Sequence, residues 1–198
     1  LALNHISAEG YYGNEDNLDR SRPFKLGISL GTLLSDNGKI LIAAQHDRSL
    51  QLANIPSMEA WIVEKIKEIR EYSDREIVIR PHPRCTLNRR VLPNNVIYES
   101  PKKLSDTYDS FDISYCYHAV VNYNSGPGIQ AALTGSRVIV DQSSLAHPVS
   151  ILVQDIEKLN DVDRDDWLVK IAHTEYTVDE LRRGQWLTRI KPALTALV

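Results

Sequence analysis

Short continuous apolar runs follow one another after Gly38, with amphipathic segments between them. Ile40-Leu41-Ile42-Ala43-Ala44, Ile77-Val78-Ile79, Ala119-Val120-Val121-Asn122-Tyr123 and Val138-Ile139-Val140 are too short for ordinary helices. Such runs read as strands buried on both faces. Val96-Ile97-Tyr98 is a weaker run of the same kind. Between the first two runs, Ser57 can cap a helix with Glu59 in its first turn. Met58, Ile62, Ile66 and Ile69 then recur on one helical face. Gly126–Thr134 reads as a second helix, with Ile129, Ala132 and Leu133 inward and Gly135 at the position that ends it. Lys103–Phe111 is read as a further helix. Strands alternating with helices predict βαβ units and an α/β, Rossmann-like, doubly wound parallel sheet.

The pattern divides the chain into three parts. Residues 1–38 are polar and glycine-rich, and read as an irregular arm or the remnant of a preceding domain. Residues 39–160 hold the five strands. Residues 161–198 read as a helical tail packing on that domain: Thr177-x-x-Glu180 is a capping box, Leu181, Leu187 and Ile190 follow, and Trp167 and Trp186 supply packing surface. The chain begins at Leu1, which is expected of a processed chain or an excised fragment.

Composition narrows this picture rather than changing it. The 198 residues are 42% hydrophobic, enough for one core, and the net charge of −3 gives no global basic field for nucleic acid. Two cysteines, Cys85 and Cys116, make no disulfide framework, and their spacing to histidine suggests no zinc site. No apolar run is long enough to span a membrane. A reducing, cytoplasmic setting without a cofactor or metal is the expectation.

In open α/β sheets ligands bind beyond the carboxyl ends of the strands. Four predicted strand ends carry polar groups there. The first leads into Gln45-His46-Asp47-Arg48-Ser49, where Gln45, Asp47 and Ser49 alternate and share one side if the strand continues. Asp47 can act as a base or bind a hydroxyl. The second leads into Arg80-Pro81-His82-Pro83-Arg84. The prolines fix the backbone around His82, which can donate to a phosphate oxygen, with Arg80 or Arg84 adding a guanidinium fork. The fourth leads into Asn124-Ser125-Gly126-Pro127-Gly128, where Asn124 or Ser125 can cap a helix and Gly126 and Gly128 let an anion approach its N-terminus. The fifth leads to Asp141-Gln142-Ser143-Ser144. No GxGxxG is present, which argues against an NAD-type site.

These residues in this order resemble the nucleotide-binding domain of GT-B glycosyltransferases, in particular the capsule-polysaccharide transferases that use CMP-Kdo and the GT-B sialyltransferases. The resemblance covers roughly residues 38–145 and rests on Gln45-His46-Asp47-Arg48-Ser49, on His82-Pro83 within "RPHPR", and on "NSGPGIQAALTGSRVIVD" from Asn124 to Asp141. Gln130 stands where those families carry glutamate. The resemblance implies a single GT-B-type domain in which His82 and the helix start at Ser125 bind the donor phosphate, with Ser143 and Ser144 near the nucleotide. It implies metal-independent transfer of a sugar from a nucleotide-sugar donor to a polysaccharide or other hydroxyl acceptor. A GT-B cleft needs two such domains, so a second domain or a partner chain would complete it. The rival expectations are a non-catalytic nucleotide-binding module and a sugar-nucleotide epimerase of related fold. A nucleic acid acceptor, such as hydroxylated DNA bases, is mildly disfavoured by the charge.

Overall fold

The computed structural model describes residues 7–32, 37–107, 110–112, 114–158 and 162–195. In chain order its regular elements are α1 (Arg22–Lys25), β1 (Ile40–Ala43), α2 (Met58–Arg70), β2 (Ile77–Arg80), β3 (Ile97–Tyr98), β4 (Ala119–Asn122), α3 (Gly126–Thr134), β5 (Val138–Val140), α4 (Asp165–Ala172), α5 (Val178–Arg182) and α6 (Gln185–Thr195), with four short 3-10 turns among them. The chain divides into two compact units, residues 31–162 and residues 1–30 with 163–198.

In the larger unit the five strands form one parallel sheet in the order β3-β2-β1-β4-β5. This is a Rossmann-like α/β sheet. Strand alternation sends Ile40, Ile42, Ile77, Ile79, Ala119, Val121 and Ile139 to one face, where they pack with Trp61, Ile62, Ile66 and Ile69 of α2. Each isoleucine or valine of this set contributes about 1.5–3 kcal/mol by leaving water. Helix α2 begins where Ser57 Oγ accepts the Ala60 N–H at 3.0 Å. The opposite face carries α3. A Cβ at Gly128 would lie 2.9 Å from Val140 Cγ1 and 3.3 Å from Asn122 Oδ1, so only glycine lets helix and sheet approach this closely. Helix α3 buries Gly128, Ala131 and Ala132, a face turned from the one expected at Ile129 and Leu133, and Gly135 ends it at φ 98°. Among the described residues of Lys103–Phe111 the expected helix does not form. Lys103 and Phe111 instead make an isolated antiparallel bridge, with Leu104 N–H bonded to Ser110 O at 2.9 Å.

In the smaller unit the N-terminal stretch and the helical tail fold together. Arg22 donates to Ala172 O at 2.6 Å, to Glu175 O at 2.9 Å and through two nitrogens to the Glu180 carboxylate, and it stacks on Tyr176. Arg189 donates to His173 O and Asn14 O. The Thr177–Glu180 capping box is complete. Trp167 and Ile190 are buried, whereas Leu181 and Leu187 are exposed.

Candidate functional site

The strand order reverses direction between β1 and β4, so the crevice beyond their carboxyl ends is the topological switch point of the sheet. Side chains from both strand ends close on it. Asn122, fully buried at the end of β4, donates to Ala43 O at 2.8 Å and to Ser125 Oγ at 3.0 Å, while its Oδ1 accepts the Ser125 N–H at 2.9 Å. Gln45 lies buried just beyond β1. Its Oε1 accepts the Asn124 N–H at 3.4 Å and its amide donates to Ser49 Oγ and Gln51 Oε1. The strand does not run on to align Gln45, Asp47 and Ser49. It stops at Ala43, and the Ser49 N–H bonds back to His46 O in a turn. Ser49 caps the 3-10 turn Leu50–Leu52.

Asn124 donates to Ser143 Oγ at 2.9 Å, and Ser143 donates to Asp141 Oδ1 at 2.6 Å. Asn124 is only 7% exposed, yet its Oδ1 has no protein partner. A buried acceptor of this kind needs a donor from water or ligand. Ser144 is fully buried, and its Oγ accepts the Ala146 N–H, which makes it part of the turn rather than of the open rim. At the start of α3, Gly126 has open space where a Cβ would stand. Gly128 is enclosed, so of the two glycines only Gly126 leaves room for an approaching ligand.

Pairing of Ala43 with Arg80 sets the β1 and β2 loops side by side. His46 and His82 meet there edge to face, ring centroids 5.0 Å apart. Each ring accepts, at Nδ1, the backbone N–H two residues on, from Arg48 and from Arg84, both at 3.1 Å. In the neutral rings this assigns the proton to Nε2, which makes Nε2 the donor nitrogen of each imidazole. Arg84 is exposed beside His82. Arg80 departs from the expected fork. Its guanidinium pairs with Glu99, donates to Tyr117 Oη at 3.0 Å and lies over the rings of Tyr115 and Tyr117. Burial, and then the bond to Glu99, push Tyr117 up to about 12, so the phenol stays protonated and donates to Glu99. Asp47 is exposed, and the hydrogen bond from Cys85 Sγ at 3.0 Å holds its carboxyl below the usual range. That makes it a weaker base than a free aspartate.

The chain matches no family model and no curated protein sequence. Among solved structures it resembles the KpsC β-Kdo 2,7-transferase of Thermosulfurimonas dismutans, at 16% identity and a TM-score of 0.45. The likeness covers 68% of this chain and 43% of that one. The doubly wound fold stands on the strand order itself.

Three features of the rim were not legible in the sequence. His46 joins His82 and Cys85 only because β1 and β2 are neighbours. A cavity of about 220 Å³ opens beside the ends of β4 and β5, lined by Trp61, Lys65, Asp141 and Gln142, with Trp61 in edge contact with Tyr123 at 5.8 Å. Trp61 has the spacing of a core position, and nothing local distinguishes it from one.

Proposed function

We propose that this chain carries the donor-binding domain of a GT-B-type glycosyltransferase, which moves a sugar from a nucleotide-sugar to a hydroxyl acceptor. The carrying observation is the polar set at the switch point, where the ends of β1, β2 and β4 lie side by side and Asn124 keeps a buried acceptor without a partner. The loop after β2 and the start of α3 are two strand spacings apart, about 10 Å. That span suits a phosphate or diphosphate with its flanking sugar.

In this reading Nε2–H of His82 donates to a leaving phosphate oxygen, and Arg84 adds charge from the exposed side. The N-terminus of α3 at Ser125 and Gly126 supplies its dipole to the same group. Negative charge grows on that phosphate as the glycosidic bond breaks, so donors fixed beforehand lower the barrier. Asn124 Oδ1 accepts from a hydroxyl or amide of the nucleotide, and the cavity beside Trp61 takes part of the nucleoside. His46 is the second imidazole donor of the same rim.

The test is a thermal-shift and turnover panel of UDP-, GDP-, CMP- and dTDP-sugars. A bound donor at 100 times its dissociation constant stabilises the protein by about 2.7 kcal/mol. His82→Ala is expected to lower affinity about tenfold or more and turnover about a hundredfold, with unfolding by urea unchanged. Full activity in His82→Ala would refute the assignment. Donor binding without turnover on any acceptor would reduce the domain to a nucleotide-binding module.

A further inference from the structure

We propose that the loops after β1 and β2 form a transition-metal site in which His46, His82 and Cys85 are the ligands and a Zn(II)-class ion is the guest. One ligand atom from each of the three lies within 4.8 Å of the others. Tetrahedral zinc with nitrogen and sulfur ligands sets its donor atoms about 3.3–3.8 Å apart. The trio therefore needs to close by about 1 Å, which side-chain rotation can supply, since all three residues are only half-buried. Their backbones are already set. Pro81 and Pro83 restrict the chain on both sides of His82. The Cys85 N–H bonds to His82 O at 3.0 Å, turning the thiol back toward the ring. The paired ends of β1 and β2 bring His46 across.

The donor set selects the ion. Two imidazoles and a thiolate favour Zn(II) or Co(II) over Mg(II) and Ca(II), which prefer oxygen. Asp47 Oδ1 lies 3.0 Å from Cys85 Sγ and 3.1 Å from His46 Nδ1, so a carboxylate oxygen stands beside two of the three ligands and can take the fourth position. Binding releases the thiol proton to solvent as the sulfur–metal bond forms. It also disturbs one backbone contact per histidine. Either the ion displaces the N–H at Nδ1, or it binds Nε2 and the ring proton moves to Nδ1. Sequence spacing alone does not group these three ligands, because His46 comes from the loop after β1 and His82 and Cys85 from the loop after β2.

This inference does not depend on the transferase reading, because it uses metal binding alone as its readout. Titrating the purified chain with Co(II) is expected to give one equivalent bound, with the intense visible bands of a tetrahedral site and a thiolate-to-metal charge-transfer band. Zn(II) should displace it. Cys85→Ser should abolish the charge-transfer band and weaken Zn(II) binding at least tenfold, and His46→Gln should weaken it comparably. Cys116→Ser, the other cysteine, should leave both unchanged. Circular dichroism establishes that each variant is folded. A weak octahedral spectrum without charge transfer, or equal effects of the two cysteine variants, would overturn the proposal.

Discussion

The two edges of the one parallel sheet use the same residue types to different ends. At the amino edge, His118, Arg75, Arg137, Ser73 and Glu157 form a closed network. Arg137 can only donate, so the 2.9 Å contact makes His118 Nδ1 the acceptor, and His118 Nε2 then donates to Ile156 O at 2.8 Å. Arg137 also donates to His118 O, and Glu157 accepts from Ser73 at 2.5 Å and from Arg75 at 3.0 Å. At the carboxyl edge, two histidines meet ring to ring, a carboxylate stands in solvent beside a thiol, and Asn124 keeps a buried oxygen without a partner. Histidine, arginine, serine and a carboxylate are on both edges. Among the described residues, the buried acceptor without a protein partner lies at the carboxyl edge, and that difference separates the two edges where residue identity cannot.

The comparison breaks most sharply at its two histidines. His118 is 2% exposed. His118→Ala leaves a buried carbonyl and part of Arg137 unpaired, and is expected to cost about 3 kcal/mol in urea unfolding. Nucleotide affinity of the folded fraction should not change. His82→Ala should give the reverse pattern. If both variants lost stability equally, the carboxyl edge would be as structural as the amino edge.

Gly128→Ala tests the packing side of the carboxyl edge. Its methyl meets Val140 and Asn122 with no flexible neighbour to yield, so about 2 kcal/mol is the expected loss. Unchanged stability would mean that α3 can lift from the sheet, and the start of α3 would then be a movable element rather than a fixed one.

Acid provides a finer probe of the amino edge. Burial pushes the Glu157 carboxyl up, but the bonds from Ser73 and Arg75 outweigh it and hold the group below its usual 4.5. The folded value being the lower one, the ionised carboxylate stabilises the fold fully above pH 4.5. That contribution fades as pH falls through the folded value. The urea midpoint of the wild type should therefore drop more between pH 5 and pH 3 than that of Glu157→Gln. Parallel curves would show that the network's hydrogen bonds add no pH-dependent stability.

What could be read from sequence was local. The runs at 40–44, 77–79, 119–123 and 138–140 become neighbouring strands because continuous apolar patterning suits a sheet covered on both faces. Ser57, Gly135 and the Thr177–Glu180 box act within a few residues of themselves, and each behaves as its local chemistry predicts. What stayed hidden was pairing at a distance. Arg80 sits in the most suggestive motif of the chain, yet it belongs to Glu99 and to Tyr117, 19 and 37 residues away. Arg22 belongs to Glu180, 158 residues away, which is why the N-terminal stretch and the tail form one unit. Lys103–Phe111 has a helix-compatible composition, and the antiparallel bridge between its two ends overrides it. The two glycines of the α3 start look alike in sequence and differ because only one faces a strand.

The smallest expected effect on stability, and the finest test of the carboxyl edge, is at Gly126. A Cβ there meets nothing within 4 Å, and the glycine does not adopt a left-handed backbone. Gly126→Ala therefore adds no clash and removes conformational freedom from the unfolded chain, so stability should be unchanged or higher by about 0.5 kcal/mol. The same methyl projects into the open space at the first turn of α3, where the proposed function places the donor phosphate. Donor affinity should fall a few-fold while the fold is intact, a combination that a purely structural helix start cannot give. If affinity held, α3 would serve only to pack the sheet, and recognition of the phosphate would rest on His46, His82 and Arg84 alone.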